Sequence, residues 1–168
     1  MFGSRQTSSV VGLDIEAGSV AATEVTSGGG VSRTAVAPLD PGIAREGEVV
    51  DPIALSGVLK DLFAQHKLSR QVRVGIANQR VIVRTLRLPK LKSDDEIDAA
   101  VRFQAADKIP MPLEQAVLDW EQVEPTAEAE ESGQMDVVVV AARRETVGGL
   151  ASAMQSAGLK PVGIDVAA

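Results

Sequence analysis

The chain contains few of the side chains that enzymes use for chemistry. Its 168 residues include no cysteine and one histidine, His66. The lack of cysteine excludes disulfides, thiolate nucleophiles and iron–sulfur clusters, and a single histidine cannot build a His-rich metal site. A Ser–His–Asp triad would have to use His66, which closes a predicted helix, where an imidazolium complements the helix dipole. The remaining candidates are carboxylates, glycine-containing turns and groups of basic residues.

The stretch from Asp14 to Ser19 is the most suggestive of chemistry. Asp14 lies near the end of an apolar run, and Glu16-Ala17-Gly18-Ser19 forms a turn that leads into a second run. A carboxylate at a strand end can hold Mg²⁺ through water, and the backbone N–H groups of a tight turn can bind a phosphate. The same residues also suit a plain β-hairpin with Asp14 as a turn former, which is a common structure.

Basic residues are concentrated in one segment. No acid lies between residues 62 and 93, whereas eight basic residues do: Lys67, Arg70, Arg73, Arg80, Arg84, Arg87, Lys90 and Lys92. Such a segment could attract an acidic peptide, a phosphate-bearing surface or a lipid headgroup, with Arg80, Arg84 and Arg87 as the candidate contacts. The alternative is a solvated face that balances a nearby acidic one.

Composition argues against two further classes of protein. The net charge of −6 and the aromatic content of 2% disfavour a nucleic-acid binder that works by charge and base stacking. The longest apolar run, 137–142, is far shorter than the ~20 residues that a membrane span requires. Residues 1–9 are polar and lack a signal core, so we expect a disordered leader on a cytoplasmic protein.

The elements that must position these residues follow from the apolar periodicity. Runs at 10–15, 20–26 and 31–37, joined by turns, predict an antiparallel meander. Capping signals at Asp51-Pro52 and at Ser93 predict helices over 52–66 and up to residue 108. The other predicted elements are strands at 72–77, 81–88, 115–123, 136–142 and from 161, and a helix at 145–157. Residues 124–134 are acidic and predict a mobile, solvated hairpin loop.

Two features together resemble a known family. Val11-Gly12-Leu13-Asp14-Ile15, with the turn and the run from Val20 to Val25, resembles the first phosphate motif of actin-like ATPases. The later order of elements is similar to the PilM family, the actin-like cytoplasmic proteins of type IV pilus assembly that are related to FtsA. That order is Leu86-Arg87-Leu88-Pro89, Ser93 to Lys108, Ile109-Pro110, Val117 to Val123, Met135 to Ala142, Glu145 to Gly158 and Leu159-Lys160-Pro161-Val162.

The resemblance implies an α/β (α+β) fold, namely an actin-like first lobe with a mixed sheet. Residues 10–78 and 160–168 would form the core subdomain. Residues 79–159 would form a small inserted subdomain of strand–helix–strand–strand order with a final helix. The predicted order of elements agrees with that arrangement.

The resemblance also implies a function. In this family ATP lies between two lobes, and a groove on the first lobe takes the cytoplasmic N-terminal tail of the inner-membrane protein PilN. The family's ATP and Mg²⁺ would then contact Asp14, through water, and the turn formed by Glu16, Ala17, Gly18 and Ser19. Glu16 departs from the family, which commonly has a small residue at this position, and its charge could repel phosphate. The second lobe does not follow within the 168 residues, so we expect weak or no ATP binding by this chain alone, and binding without turnover rather than efficient hydrolysis.

The expected function is therefore a cytoplasmic scaffold at the inner membrane that docks a PilN-like tail and other pilus components, with self-association as a further expectation. One alternative is an actin-like ATP-binding protein or ATPase related to FtsA. A second alternative is a binder of anionic surfaces or nucleic acid that uses the basic segment, although a nucleic-acid partner is not expected.

Overall fold

The computed structural model describes residues 9–76 and 81–166. The strands in this part of the chain are β1 Val10–Ile15, β2 Ser19–Val25, β3 Val31–Pro38, β4 Ala44–Arg45, β5 Glu48–Val49, β6 Gln71–Ile76, β7 Ile82–Pro89, β8 Ala116–Val123, β9 Gln134–Arg143 and β10 Lys160–Val166. The helices are α1 Pro52–His66, α2 Asp94–Lys108, α3 Ala127–Glu131 and α4 Arg144–Ser156, with a 3₁₀ turn at Leu113–Gln115.

The chain divides into two compact units. Unit 1 contains Met1–Asn78 and Gly148–Ala168, and unit 2 contains Gln79–Val147. The division falls within α4, whereas the sequence prediction assigns this whole helix to the inserted subdomain over 79–159. The bounds of 79 and 159 for the inserted subdomain remain a prediction. Of the predicted leader, residues 1–8 lie outside the described residues.

Unit 1 contains a five-stranded sheet in the order β10-β6-β1-β2-β3. Strands β1, β2 and β3 pair antiparallel, which confirms the predicted meander. Strand β6 runs parallel to β1, and β10 runs parallel to β6, so the sheet is mixed as expected. Along β1, Val11 and Leu13 are buried while Gly12 and Asp14 face outward, because alternate residues of a strand point to opposite faces.

Helix α1 covers the buried face of unit 1 with an apolar stripe. Its buried side chains are Leu55, Leu59, Leu62 and Phe63. The helix begins where an Asp51 carboxylate oxygen accepts hydrogen bonds from the N–H groups of Ile53 and Ala54 at 3.0 and 2.9 Å. It ends at Lys67, whose φ of 52° is left-handed. The predicted bounds of this helix are confirmed.

Unit 2 is a three-stranded antiparallel sheet in the order β7-β9-β8, with α2 packed on one face. The core between them is formed by Leu86, Leu88, Ile97, Val101, Ala105, Ile109, Met135, Val137, Val139 and Ala141. Trp120 is partly buried and packs against this cluster, as expected for a core-facing residue of an amphipathic strand.

The segment over 124–134 joins the antiparallel strands β8 and β9 as the predicted hairpin connection does, but the prediction missed a helix within it. This segment contains α3, whose Ala129 side chain is fully buried. Thr126 caps the helix by accepting a hydrogen bond from the Ala129 N–H. The helix is not predictable from its sequence because the segment is acidic and has no apolar stripe. One small buried residue and a side-chain hydrogen bond to β9 hold it in place.

Candidate functional site

The turn between β1 and β2 contains the predicted phosphate-binding residues. Asp14 lies opposite Ala21 in the β1–β2 ladder, with its side chain exposed on the outward face. The Glu16 N–H donates to the Ser19 carbonyl at 2.9 Å and closes the turn. Glu16, Ala17 and Gly18 are exposed, and Ser19 is half-buried. The structure thus brings these residues together in one hairpin.

A surface depression of about 480 Å³ lies beside this turn. Ala17 and Gly18 form one side of it, and Arg45 is among its other lining residues. The Leu39 N–H donates to the Gly18 carbonyl at 2.9 Å, which fixes the turn against the chain that follows β3. The depression is therefore largely apolar, since Leu39, Pro41 and Val50 also line it, and Arg45 is the cation in its wall.

The hairpin leaves open space beside its turn and carries the exposed carboxylate of Asp14. A Cβ atom placed on Gly18 would meet no heavy atom within 4 Å, so the space above the turn is open. Asp14 can supply one carboxylate, and Mg²⁺ bound to phosphates usually needs only one or two together with water. The described parts of the chain contain no group of three or more histidine and acidic side chains that could hold a metal ion.

Of the predicted basic contacts, the two that the structure describes do not share one face of the sheet. Arg80 lies outside the described residues. Arg84 and Arg87 lie three positions apart on β7, so their side chains point to opposite faces of the sheet. The exposed Arg84 guanidinium donates to the carbonyl of Val83 at 2.9 Å.

Arg87 belongs to a charge network that holds α3 on the sheet. Its guanidinium lies 3.0 Å from Glu128 of α3 and 3.2 Å from the buried Asp136 of β9. Asp136 also accepts hydrogen bonds from the N–H and the hydroxyl of Thr126, both at 2.9 Å. The Thr126 N–H, more than any other contact, holds the pKa of Asp136 below its usual range. Arg87 is therefore committed to an internal contact.

A second buried carboxylate lies in unit 1. Glu24 accepts hydrogen bonds from the Ser9 hydroxyl at 2.6 Å and from Arg33 at 3.0 Å. The Ser9 bond is the main reason that the pKa of Glu24 is lowered, and Arg33 adds to it. Ser9 and Arg33 both bond to the Glu24 carboxylate, so the buried charge is satisfied within the chain, which indicates a structural role.

Sequence reasoning missed the β4–β5 ribbon and Arg45 within it. The ribbon has two residues in each strand and turns through Glu46 and Gly47, both at positive φ. The Glu46-Gly47 pair is a turn signal, but strands this short give no periodicity to detect. Because Arg45 lies outside the basic segment, charge counting did not single it out either.

No helix in the described part of the chain combines the length and the apolarity needed to cross a bilayer.

Comparisons with known proteins place the chain in a family. Residues 12–168 match the family described as type IV pilus assembly protein PilM. A solved protein described as a PilM–PilN type IV pilus biogenesis complex is 34% identical with a TM-score of 0.80, and the match covers 95% of this chain and 48% of that one. The chain thus spans about half the length of this relative.

A second solved structure supports the fold alone. The cytoplasmic domain of EpsL, an inner-membrane component of the type II secretion system of Vibrio cholerae, is 12% identical with a TM-score of 0.58. That match covers 94% of this chain and 57% of the EpsL chain. The family match over residues 12–168 and the close structural match together establish that the chain belongs to the PilM family of type IV pilus assembly proteins.

Proposed function

We propose that this chain is a docking lobe of the pilus assembly machine that binds the cytoplasmic N-terminal tail of an inner-membrane PilN-like protein. The observation that carries the proposal is the 34% identity, over 95% of this chain, to a protein described as a PilM–PilN complex. Tail binding would hold the lobe in the cytoplasm at the inner membrane.

Exposed strand edges are the candidate docking surfaces for such a tail. A short extended peptide can add to a free edge as a further strand, with main-chain hydrogen bonds that supply affinity. Strand β7 lies at an edge of its sheet and exposes Arg84, which could attract an acidic group on the peptide. Arg87 is a weaker candidate because Asp136 and Glu128 already engage it.

Calorimetric titration with a synthetic PilN-like tail tests the proposal. We expect saturable binding by the parent chain and none for a scrambled peptide. Arg84→Glu should weaken binding several-fold, whereas Lys60→Glu, the same kind of change at an exposed position of α1, should not. Absence of binding by a sample whose circular dichroism shows a folded chain would overturn the proposal.

The second candidate function is nucleotide binding at the β1–β2 hairpin. The open depression beside Ala17 and Gly18, with Arg45 in its wall, favours this function. When bound, Mg²⁺ would neutralise phosphate charge, and Asp14 and the turn would orient the phosphates. The hairpin supplies only one side of such a site, so we propose weak binding and no efficient hydrolysis.

A thermal-shift titration with Mg–ATP tests this second candidate. A small rise in melting temperature should disappear in Asp14→Ala and persist in Asp61→Ala, a matched change on α1. An equal shift in both variants would show that Asp14 has no role in binding.

A further inference from the structure

The sheet of unit 2 ends in two regular edge strands, β7 and β8. Both pair with β9 in continuous register over all their residues. The edges of the sheet in unit 1 differ, because the ladders of its edge strands β3 and β10 each contain a register shift. Bulges of that kind discourage pairing with another chain. The ladders of β7 and β8 contain no such bulge, so these two edges lack that protection.

Side chains satisfy outward-facing main-chain groups on both edges of this sheet. On β7, the Val83 carbonyl accepts from Arg84 at 2.9 Å. On β8, the Trp120 N–H donates to the Asp119 carboxylate at 2.9 Å. The side chains of Arg84 and Asp119 are exposed, so an incoming strand could replace them, whereas the Arg87 carbonyl of β7 accepts from the half-buried Gln104 of α2 at 3.2 Å.

The two edges have opposite charges. Strand β7 and the residues just after it expose Arg84, Lys90 and Lys92, and no acid lies between residues 62 and 93. Strand β8 and the residue after it expose Asp119, Glu121 and Glu124. An acidic peptide would suit only the first edge and a basic peptide only the second. A second copy of this chain brings the two complementary edges together in a single contact.

We propose that copies of this chain associate head to tail, with β8 of one copy added beside β7 of the next. Both strands run antiparallel to β9, so repetition along the sheet makes them parallel neighbours. Both have eight residues. Aligned from their first residues, Val83 lies beside the second copy's Val117, and Lys90 lies beside its Glu124.

This contact is heterologous, because it uses a different edge on each copy. Such contacts form a ring when the rotation between copies closes and an open chain otherwise. The area of one strand pair is small, so the association should be weak and dependent on concentration. The contact uses the same β7 edge that is a candidate dock for the PilN-like tail, so the two would compete for it, whereas nucleotide binding at the β1–β2 hairpin is independent of it.

Sedimentation velocity on the full chain, over a range of concentrations, tests the association. The parent should show a rising weight-average mass at low salt and a smaller rise in about 1 M salt, where the Debye length is ~3 Å. Lys90→Glu and Glu124→Lys should each remain monomeric alone, because like charges then meet across the contact. Mixing the two variants should restore association, since every contact between one variant and the other again joins opposite charges.

Matched controls separate this surface from general charge effects. Lys60→Glu and Asp61→Lys make the same kinds of charge change at exposed positions of α1 and should associate like the parent. A parent that stays monomeric at the highest concentration reached, or single variants that associate as the parent does, would overturn the proposal.

A third variant distinguishes strand addition from simple charge attraction. Arg84→Thr removes the side chain that occupies the Val83 carbonyl, and in the stated alignment Arg84 faces the apolar Leu118 of the second copy. Strand addition therefore predicts association at least as strong as that of the parent, with slower amide exchange in β7 and β8 on association. Weaker association with unchanged exchange would contradict a paired edge.

Discussion

Asp136 lies at the centre of the contacts that order α3. Its carboxylate is buried, at 2% exposure, yet it accepts bonds from both donors of Thr126 and from Arg87. A buried carboxylate is tolerated when donors surround it in this way. The acid therefore fixes the start of α3 relative to β9.

Asp136→Asn should destabilise unit 2 and loosen α3. Thr126 and Arg87 donate to different oxygens of the carboxylate, so the amide NH₂ group of asparagine would face the donors of one of them in either orientation. We expect a melting temperature lower by several degrees and faster amide exchange over 126–132. Asp95→Asn, an exposed change in the first turn of α2, serves as the control and should have little effect. Equal stability of the two variants would show that the network contributes nothing.

The two buried carboxylates, whose pKa values are lowered, also contribute to the response to acid. Asp136 and Glu24 have folded pKa values below their unfolded ones, so their stabilising contribution is complete above the unfolded pKa and declines as the pH falls towards the folded pKa. We expect a constant melting temperature near neutral pH and a steady fall below about pH 4, the usual range for carboxylates. Thermal melts by circular dichroism across this range measure it, and Asp136→Asn should flatten the fall.

At the scale of elements, helix ends were the most predictable features. The Asp51-Pro52 signal and the apolar spacing after it gave α1 with its observed bounds. Ser93 caps α2 as predicted, with its hydroxyl accepting from the Glu96 N–H at 3.3 Å. The Glu96 side chain, however, reaches the N–H of Lys92 at 3.1 Å. Local sequence determines these contacts, so local reasoning finds them.

Ser93→Ala should destabilise the chain by about 1 kcal/mol, the usual cost of a lost N-cap hydroxyl. Urea unfolding of unit 2 measures the change, and Ser93→Asp should retain most of the stability because its carboxylate can accept the same bond. A loss as large for Ser93→Asp as for Ser93→Ala would show that the cap is unimportant.

Helix α3 and the β4–β5 ribbon escaped prediction for a different reason. Both depend on contacts between residues distant in sequence or on positive φ values, as at Glu46. The hairpin at Asp14–Ser19 was predicted from local pattern, but the depression beside it was not. Arg45 reaches that depression only because the chain after β3 folds back, which no local signal encodes.

At the scale of the whole molecule, each unit has buried residues of its own. Leu88→Ala removes a fully buried side chain from unit 2 and should cost about 2–5 kcal/mol. Hydrogen exchange should then accelerate in β7, β8 and β9 and remain near parent values in β1, β2 and α1. Leu59→Ala, fully buried in unit 1, should give the reverse pattern. Uniform acceleration in both variants would show that the units unfold as one.

The last strand of unit 1 has a consequence for synthesis on the ribosome. Arg73 of β6 and Asp165 of β10 are bonded partners in space but lie 92 residues apart. Since a ribosome adds about 5–20 residues per second, β10 is translated roughly 5–20 s after β6. During that interval all of unit 2 is translated while the β10 side of β6 has no partner strand, so the growing protein exposes an edge that could pair with another chain.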